Sequence, residues 1–186
     1  MKKLLFTIIG FITAFVCNAV PQQESVNKEI IAGYKSSTLD KNSLEECIKE
    51  TIIASDSERD VLIKDILTEA KSHLGKRYVW ATRGPKTFDC SGFVYYVFKQ
   101  FGYNFSPSSR NQYTLGVKVD RNEVREGDLI FFTSRRSGKK VGHVGIVYYV
   151  DNEKLLFIHA SVRGVKISEL EGYYKQRFVG YKRVID

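Results

Sequence analysis

In 186 residues the chain has one methionine, one tryptophan, three prolines, three cysteines and three histidines. Three cysteines allow at most one disulfide, and no C-x-x-C pair or H-E-x-x-H segment occurs, so structural or catalytic zinc has little support. Nothing repeats, and no tract is of low complexity. Hydrophobic residues at 43% and charged residues at 27% exclude a disordered chain, a collagen-like repeat and a coiled coil. The longest apolar run, from Leu4 to Val16, is about 13 residues, short of the roughly 20 that a membrane-spanning helix needs. A compact Arg/Lys stripe interleaved with aromatics is also missing, which argues against nucleic acid as a partner.

What is present begins with that short apolar run. Lys2 and Lys3 precede it, and Cys17-Asn18-Ala19 follows with small residues suited to cleavage after Ala19. Residues 1–19 therefore read as a signal peptide, and the mature chain as periplasmic or secreted with no stable membrane anchor. The alternative to this cleavage is a lipoprotein signal with Cys17 as the lipidated residue. Val16 before it is not the small residue such signals carry, so ordinary cleavage is favoured. Without the segment, basic residues still outnumber acidic ones by 27 to 21, a balance that suits an anionic cell wall. Cys47 and Cys90 then remain, and in an oxidising compartment one disulfide between them is the plain expectation.

Residues 20–56 are polar, with a hint of amphipathic helix at Leu44, Cys47, Ile48 and Ile52, and read as a leader or linker. The domain proper is expected over 57–186. A helix is predicted to start near Ser57, with Leu62, Ile63, Ile66, Leu67, Ala70 and Leu74 on one face and Gly75 closing it. His73, in its last turn, reads as structural. A second helix is expected from Cys90 to Phe101. Runs rich in branched and aromatic residues at 129–132, 144–150, 155–160 and 179–184 then read as strands. Helices followed by an antiparallel sheet make the fold class α+β, with N-terminal helices packed on a small sheet.

Chemistry concentrates in three residues. Cys90 stands at a helix start, where free N–H groups and the helix dipole favour a thiolate, so its pKa is expected to be depressed. His143 opens one strand run and His159 closes the next. A hairpin register pairing His159 with Gly145 puts His143 diagonally beside it, provided that a bulge or an odd loop intervenes. A thiol and two imidazoles so placed supply a nucleophile, a base and an orienting group.

The motifs Tyr78-Val79-Trp80, Phe88-Asp89-Cys90-Ser91-Gly92-Phe93, Ser109-Arg110-Asn111-Gln112, Gly127-Asp128-Leu129-Ile130-Phe131-Phe132, Gly142-His143-Val144-Gly145-Ile146 and His159-Ala160-Ser161 occur in that order. With them the chain resembles the NlpC-like cell-wall cysteine peptidases, a circularly permuted branch of the papain-like fold. The resemblance covers about residues 60–186. It implies hydrolysis of peptidoglycan stem peptides, commonly between γ-D-glutamate and a diamino acid, with no metal and no cofactor. Cys90 would attack, His143 act as base and His159 orient it. Tyr78 would help hold the oxyanion, and Asp89 and Ser91 would face the substrate. Two departures stand near the groove: Ala81-Thr82 where relatives often have Gly-Gly, and Pro107 where many have Arg. The alternatives are a wall-binding module without turnover, and a thiol amidase or acyltransferase on the same scaffold.

Overall fold

The computed structural model describes residues 41–185. Residues 1–19 and the leader as far as residue 40 lie outside the described residues. Contacts divide the chain into two units, Met1–Glu50 and Thr51–Asp186. Of the first, the described part is helical throughout.

Helix α1 runs unbroken over Lys41–Ser72, so it does not begin near Ser57 as its sequence suggested. The physical reason is that neither glycine nor proline occurs anywhere in those 32 residues, and a Ser-x-x-Asp step inside a helix is no barrier to continuing it. Only its last third is covered. Ile63, Ile66, Leu67 and Ala70 are buried, whereas Ile52, Ile53 and Val61 are exposed. Gly75, at φ +81°, turns the chain out of the helix. Its N–H bonds the carbonyl of Val165 (2.9 Å), and the Val165 N–H bonds the carbonyl of Lys76 (2.9 Å). His73 is buried against Phe88 and Tyr96 and bonds Glu69 (2.9 Å) and Lys76 (2.7 Å), a packing role.

Helix α2 (Cys90–Lys99) and a single turn α3 (Ser109–Gln112) come next. The strands are β1 (Val117–Val119), β2 (Leu129–Thr133), β3 (Val141–Val150), β4 (Leu155–Ser161), β5 (Gly164–Glu169) and β6 (Phe178–Arg183), with short α4 (Gly172–Arg177) before the last. They form one antiparallel sheet in the order β1-β6-β2-β3-β4-β5. The fold is thus α+β, as the sequence indicated. β1, β5, α3 and α4 had gone unread, being short and interrupted by polar residues.

Both sheet faces are covered, which is why the central strands read as nearly continuous apolar runs. One face, with Leu129, Phe131, Val144, Ile146 and Ile158, shares a core with Ile66, Phe93 and Val97 of the helices. The other carries Ile130, Phe132, Val147, Phe157 and Tyr181, with Tyr174 of α4 packed against them.

The Gly127-Asp128 motif is architectural. Gly127 has φ +85°, and a Cβ there would strike Ile63 of α1. Asp128, 2% exposed, accepts both ends of the Arg183 guanidinium (2.9 Å each) and the N–H of Arg125 (2.8 Å). This pair ties β6 to the entry of β2. Breaking a buried, hydrogen-bonded pair strands the remaining charge, so Asp128→Ala is expected to cost about 3–5 kcal/mol. Adding Arg183→Met should restore part of the loss, and urea unfolding of the single and double variants measures both.

Candidate active site

The extended residue before α2 is Asp89, whose Oδ1 caps the helix by accepting the N–H of Gly92 (2.6 Å). Cys90 follows as the first helical residue and is 8% exposed. Its thiol lies within hydrogen-bonding reach of the backbone of Val144, next in sequence to His143. Two features press this helix start into place. The turn at residues 79–82 receives the Asp89 N–H on the carbonyl of Thr82 (2.9 Å), and Gly92 sits so close to that carbonyl that a Cβ would overlap it. From the other side the buried amide of Gln112 donates to the carbonyls of Ser91 (3.0 Å) and Ser106 (2.9 Å). The Ser-Arg-Asn-Gln motif therefore braces the helix start, and Arg110 Nε reaches the carbonyl of Val141 (3.3 Å) at the head of β3.

The histidines come from the β3–β4 pairing. Ile146 faces Ile158 and Val147 faces Phe157, and a bulge follows between Val147 and Tyr149. One step further in this register, Gly145 lies opposite His159, the arrangement anticipated from the sequence. A Cβ on Gly145 would come within 3.1 Å of His159 Cβ and 2.8 Å of the Phe157 ring, so the position has little room for a side chain. His143 Nε2 and His159 Nδ1 are 2.8 Å apart, with the rings nearly perpendicular at 86°. His159 is fully buried, and its other nitrogen is 3.0 Å from Ser168 Oγ on β5. His143 Nδ1 is then the imidazole nitrogen not engaged with His159.

Tyr78 is half-buried beside Cys90 and Asp89, and burial foremost, then these two groups, push its phenol up to about 12. It remains a hydroxyl donor at any ordinary pH. Asp89 is partly exposed, with Oδ1 engaged in the cap. Ser91 is buried, with its hydroxyl 3.0 Å from the carbonyl of Pro107 and 3.2 Å from Asp89 Oδ1. Sequence reasoning missed Ser168 and Tyr174, and marked Gln112 only as part of a motif. Neither of the first two left a clear signal: Ser168 lies in the short, mixed run Val165-Lys166-Ile167-Ser168, and Tyr174 in a polar helical turn. Among the described residues no cluster of three metal-ligating side chains occurs, and no helix is long and apolar enough to cross a membrane.

Two expectations are corrected. Cys47 and Cys90 are not joined by a disulfide; Cys47 is exposed and Cys90 buried. And the Cys90 thiol is not acidified. Burial first, and the Asp89 carboxylate second, raise it to about 11, overriding the backbone N–H groups that pull it down. Burial lowers His143 to about 4. It also lowers His159, to about 2, with His143 and Lys166 adding to the effect. At neutral pH the group is thiol and neutral imidazoles rather than an ion pair.

Residues 75–183 match the NlpC/P60 family. The chain is 42% identical over 120 residues to the probable endopeptidase p60 of Listeria grayi, covering 64% of this chain and 22% of that protein. It is 32% identical over 123 residues to a γ-D-glutamyl-L-lysine dipeptidyl-peptidase of Bacillus cereus (65% and 36% covered). To the murein DD-endopeptidase MepH of Escherichia coli it is 31% identical over 176 residues (88% and 64%). A solved NlpC/P60 family protein from Bacillus cereus aligns with a TM-score of 0.59 at 31% identity, over 67% of this chain and 40% of that one. An α+β sheet carrying a helix-start cysteine and a histidine pair is thus of the papain-like class. The chain belongs to the NlpC/P60 family. It spans about a fifth of the length of the Listeria relative.

The shifted groups set two pH dependences. With the thiol near 11, alkylation of Cys90 by iodoacetamide is expected to be slow at pH 7, slower than that of exposed Cys47, and to rise about tenfold per pH unit up to that value. A plateau below pH 8, followed by mass spectrometry of the two peptides, would overturn the neutral pair. The histidines act on stability. Their folded values lie below the ordinary 6.5, so the unfolded chain binds more protons as the pH falls. Their contribution is complete above pH 6.5 and is lost as the pH falls, down to about 4 for His143 and about 2 for His159, which urea midpoints measured at pH 7.5 and 4.5 will register.

Proposed function

We propose that this protein is an exported cysteine endopeptidase that hydrolyses peptidoglycan stem peptides, at the bond between γ-D-glutamate and the diamino acid. The observation that carries the reading is the chain from Cys90 past Val144 to His143 and His159, on a family whose relatives are named as peptidoglycan endopeptidases. The signal-like segment 1–19 adds an address, the periplasm or the exterior, where the wall polymer lies. Relatives differ in the bond their names specify. The dipeptidyl-peptidase favours the γ-D-glutamyl bond and the DD-endopeptidase a different one.

In this reading Cys90 Sγ attacks the scissile carbonyl as its proton passes to His143 Nδ1. Starting from a neutral pair, proton transfer and attack are coupled, and no resting thiolate is required. Negative charge develops on the former carbonyl oxygen, where the Tyr78 hydroxyl and the N–H of Cys90 stabilise it. The imidazolium of His143 returns its proton to the departing amine of the diamino acid, leaving a thioester on Cys90. Water then enters, gives its proton to His143 and adds to the thioester carbonyl. Collapse frees the γ-carboxyl of D-glutamate, and the proton returns to sulfur. His159 holds the His143 ring throughout. The substrate's acyl side runs past Asp89, and Ser91, whose hydroxyl is turned inward to Asp89 and Pro107, acts on it by holding that carboxylate.

An acyl portion of L-Ala-γ-D-Glu ends in a free α-amine, a cation that ionised Asp89 can pair through Oδ2 while Oδ1 keeps the cap. Removing one partner of such a desolvated contact costs about 2–5 kcal/mol, a preference of at least about tenfold. The protein is therefore expected to cut stem peptides with a free L-Ala amine faster than the same peptides acetylated there. Asp89→Asn, which preserves the cap acceptor, should erase the difference. Specificity constants on the defined pair, with products identified by mass spectrometry, test bond and preference together. A new D-Ala terminus would move the bond, and release of acetate from the acetylated peptide would indicate an amidase. Equal constants for the free and acetylated peptides would leave Asp89 a cap alone.

A further inference from the structure

The hydrogen-bonded chain that starts at His143 does not stop at His159. His159 Nε2 is 3.0 Å from Ser168 Oγ on β5 and 3.4 Å from the hydroxyl of Tyr174 on α4. The Ser168 hydroxyl also lies within hydrogen-bonding reach of the Tyr174 phenol oxygen. Tyr174 meets the His159 ring edge-on at 5.2 Å and lies over His143, nearly parallel to it, at 6.5 Å. We infer that Ser168 and Tyr174 are positioning residues that set the tautomer of the whole imidazole pair, holding a proton on His159 Nε2 and so leaving His143 Nδ1 bare.

The logic is one of counting protons along a line. A neutral imidazole has one N–H and one lone pair. For His143 to accept a proton at Nδ1, its own proton must sit on Nε2. That N–H points at His159 Nδ1, which must then be the acceptor and keep its proton on Nε2. His159 Nε2–H is fully buried and needs an acceptor. Ser168 Oγ is the nearer one, and it can accept from His159 while donating its own proton to Tyr174. Tyr174 is half-buried and lines an open cavity with Ser168, Lys166, Glu169 and Tyr173. Reversal of any link reverses the line. If His159 carried its proton on Nδ1, His143 Nε2 would become the acceptor, and the His143 proton would move to Nδ1, the place where a base needs a lone pair.

The groups facing His159 are His143 from β3, Lys166 from β5 and Tyr174 from α4. Tyr174 in turn is near Tyr173 and Arg163. None of them is a carboxylate that could draw a second proton onto His159, so the hydroxyls alone orient it. Hydroxyls leave the pair uncharged, which suits a site in which burial disfavours imidazolium.

The inference rests on the roles proposed for His143 and His159, but its first test needs no substrate. Nitrogen-15 NMR of histidine-labelled protein at pH 7 distinguishes the two ring nitrogens, and with three histidines in the chain the signals are assignable by substitution. The native protein should show His143 and His159 both as Nε2–H tautomers. Finding His159 protonated at Nδ1 would overturn the inference whatever the protein cleaves. In Ser168→Ala/Tyr174→Phe the buried Nε2–H loses both acceptors, and the Nδ1–H form should become populated. Turnover on whatever wall peptide the protein accepts should then fall in kcat on the order of 100-fold, the scale of a general base, with KM unchanged. Ser168→Thr keeps a hydroxyl and should keep both tautomer and kcat, whereas Ser168→Ala, with Tyr174 still in reach, should fall between. A double variant that stays folded by circular dichroism and retains native tautomers and kcat would refute the role. If no wall peptide is cut by the native protein, the tautomer result still stands or falls by itself.

Discussion

The register between β3 and β4 is the constraint on which the site depends. A strand's side chains alternate between faces, so a one-residue slip would send His143 and His159 to opposite sides of the sheet. Three things hold the register. Bulky residues alternate on both faces of both strands, so either slip would drive Ile146 or Phe157 out of its core. The bulge at Val147/Tyr149 takes up the extra residue between the strands. And Gly145 opens the one gap through which the His159 ring can lie against its neighbour strand. The imidazole contact of 2.8 Å is the product of this arrangement, not its cause. A hydrogen bond between neutral rings contributes on the order of 1 kcal/mol, whereas each large side chain fully buried contributes about 1.5–3 kcal/mol. Packing fixes the strands, and the strands fix the histidines.

Burial then decides the electrostatics. At the start of α2 two influences compete for the sulfur. Backbone N–H groups favour a thiolate, while removal from water and the capping carboxylate of Asp89 oppose it, and the opposing pair wins. Asp89 cannot be dispensed with, since its Oδ1 satisfies the Gly92 N–H that the helix start would otherwise leave open. The same residue that organises the helix therefore raises the thiol. Burial lowers the histidines on the far side of the pair, so neither partner gains by ionising alone. Under the proposed reaction this makes the substrate part of the acid–base balance. Charge appears only when a carbonyl is there to receive it, next to Tyr78, a donor that burial keeps protonated. A solvent-exposed helix-start cysteine would follow the simpler rule used on the sequence. It was the exposure, which no sequence pattern reports directly, that was missing.

Much of the fold was legible because its signals are local. Branched and aromatic runs mark β2, β3, β4 and β6, and the apolar face from Leu62 to Ala70 marks the end of α1. The histidine pairing was legible conditionally: period-2 alternation is a rule about parity, and with the four-residue β3–β4 loop it is the bulge at Val147/Tyr149 that brings both rings to one face. What escaped was set by absence or by distance. α1 is already helical from Lys41, well before Ser57, because nothing in residues 41–72 breaks the helix, and a missing breaker is a weaker sign than a present cap. Ser168 reaches His159 only because β5 folds back beside β4, a pairing that its six mixed residues do not announce. The Ser-Arg-Asn-Gln and Gly-Asp motifs were recognisable as patterns, yet their work, bracing Ser91 and binding Arg183, could be read only from contacts.

The departure at Ala81 shows how tightly this helix start is held. Ala81 is the one described non-glycine residue with positive φ, at 62°. An L-residue with a Cβ is disfavoured there by about 1–2 kcal/mol, a cost that a glycine at this point would not carry. Ala81 keeps this conformation because its neighbours leave it no other. Thr82 Oγ1 donates to the carbonyl of Val79 (2.7 Å), the Thr82 carbonyl takes the Asp89 N–H, and Gly92 packs directly onto that carbonyl. Relaxing Ala81 would swing the Thr82 carbonyl away from Asp89 and loosen the cap beneath Cys90. Strain of this size persists only where surrounding contacts over-determine the backbone. Here those contacts are the ones that aim the thiol, so the cost at Ala81 is carried by the same bonds that place Cys90 beside Val144.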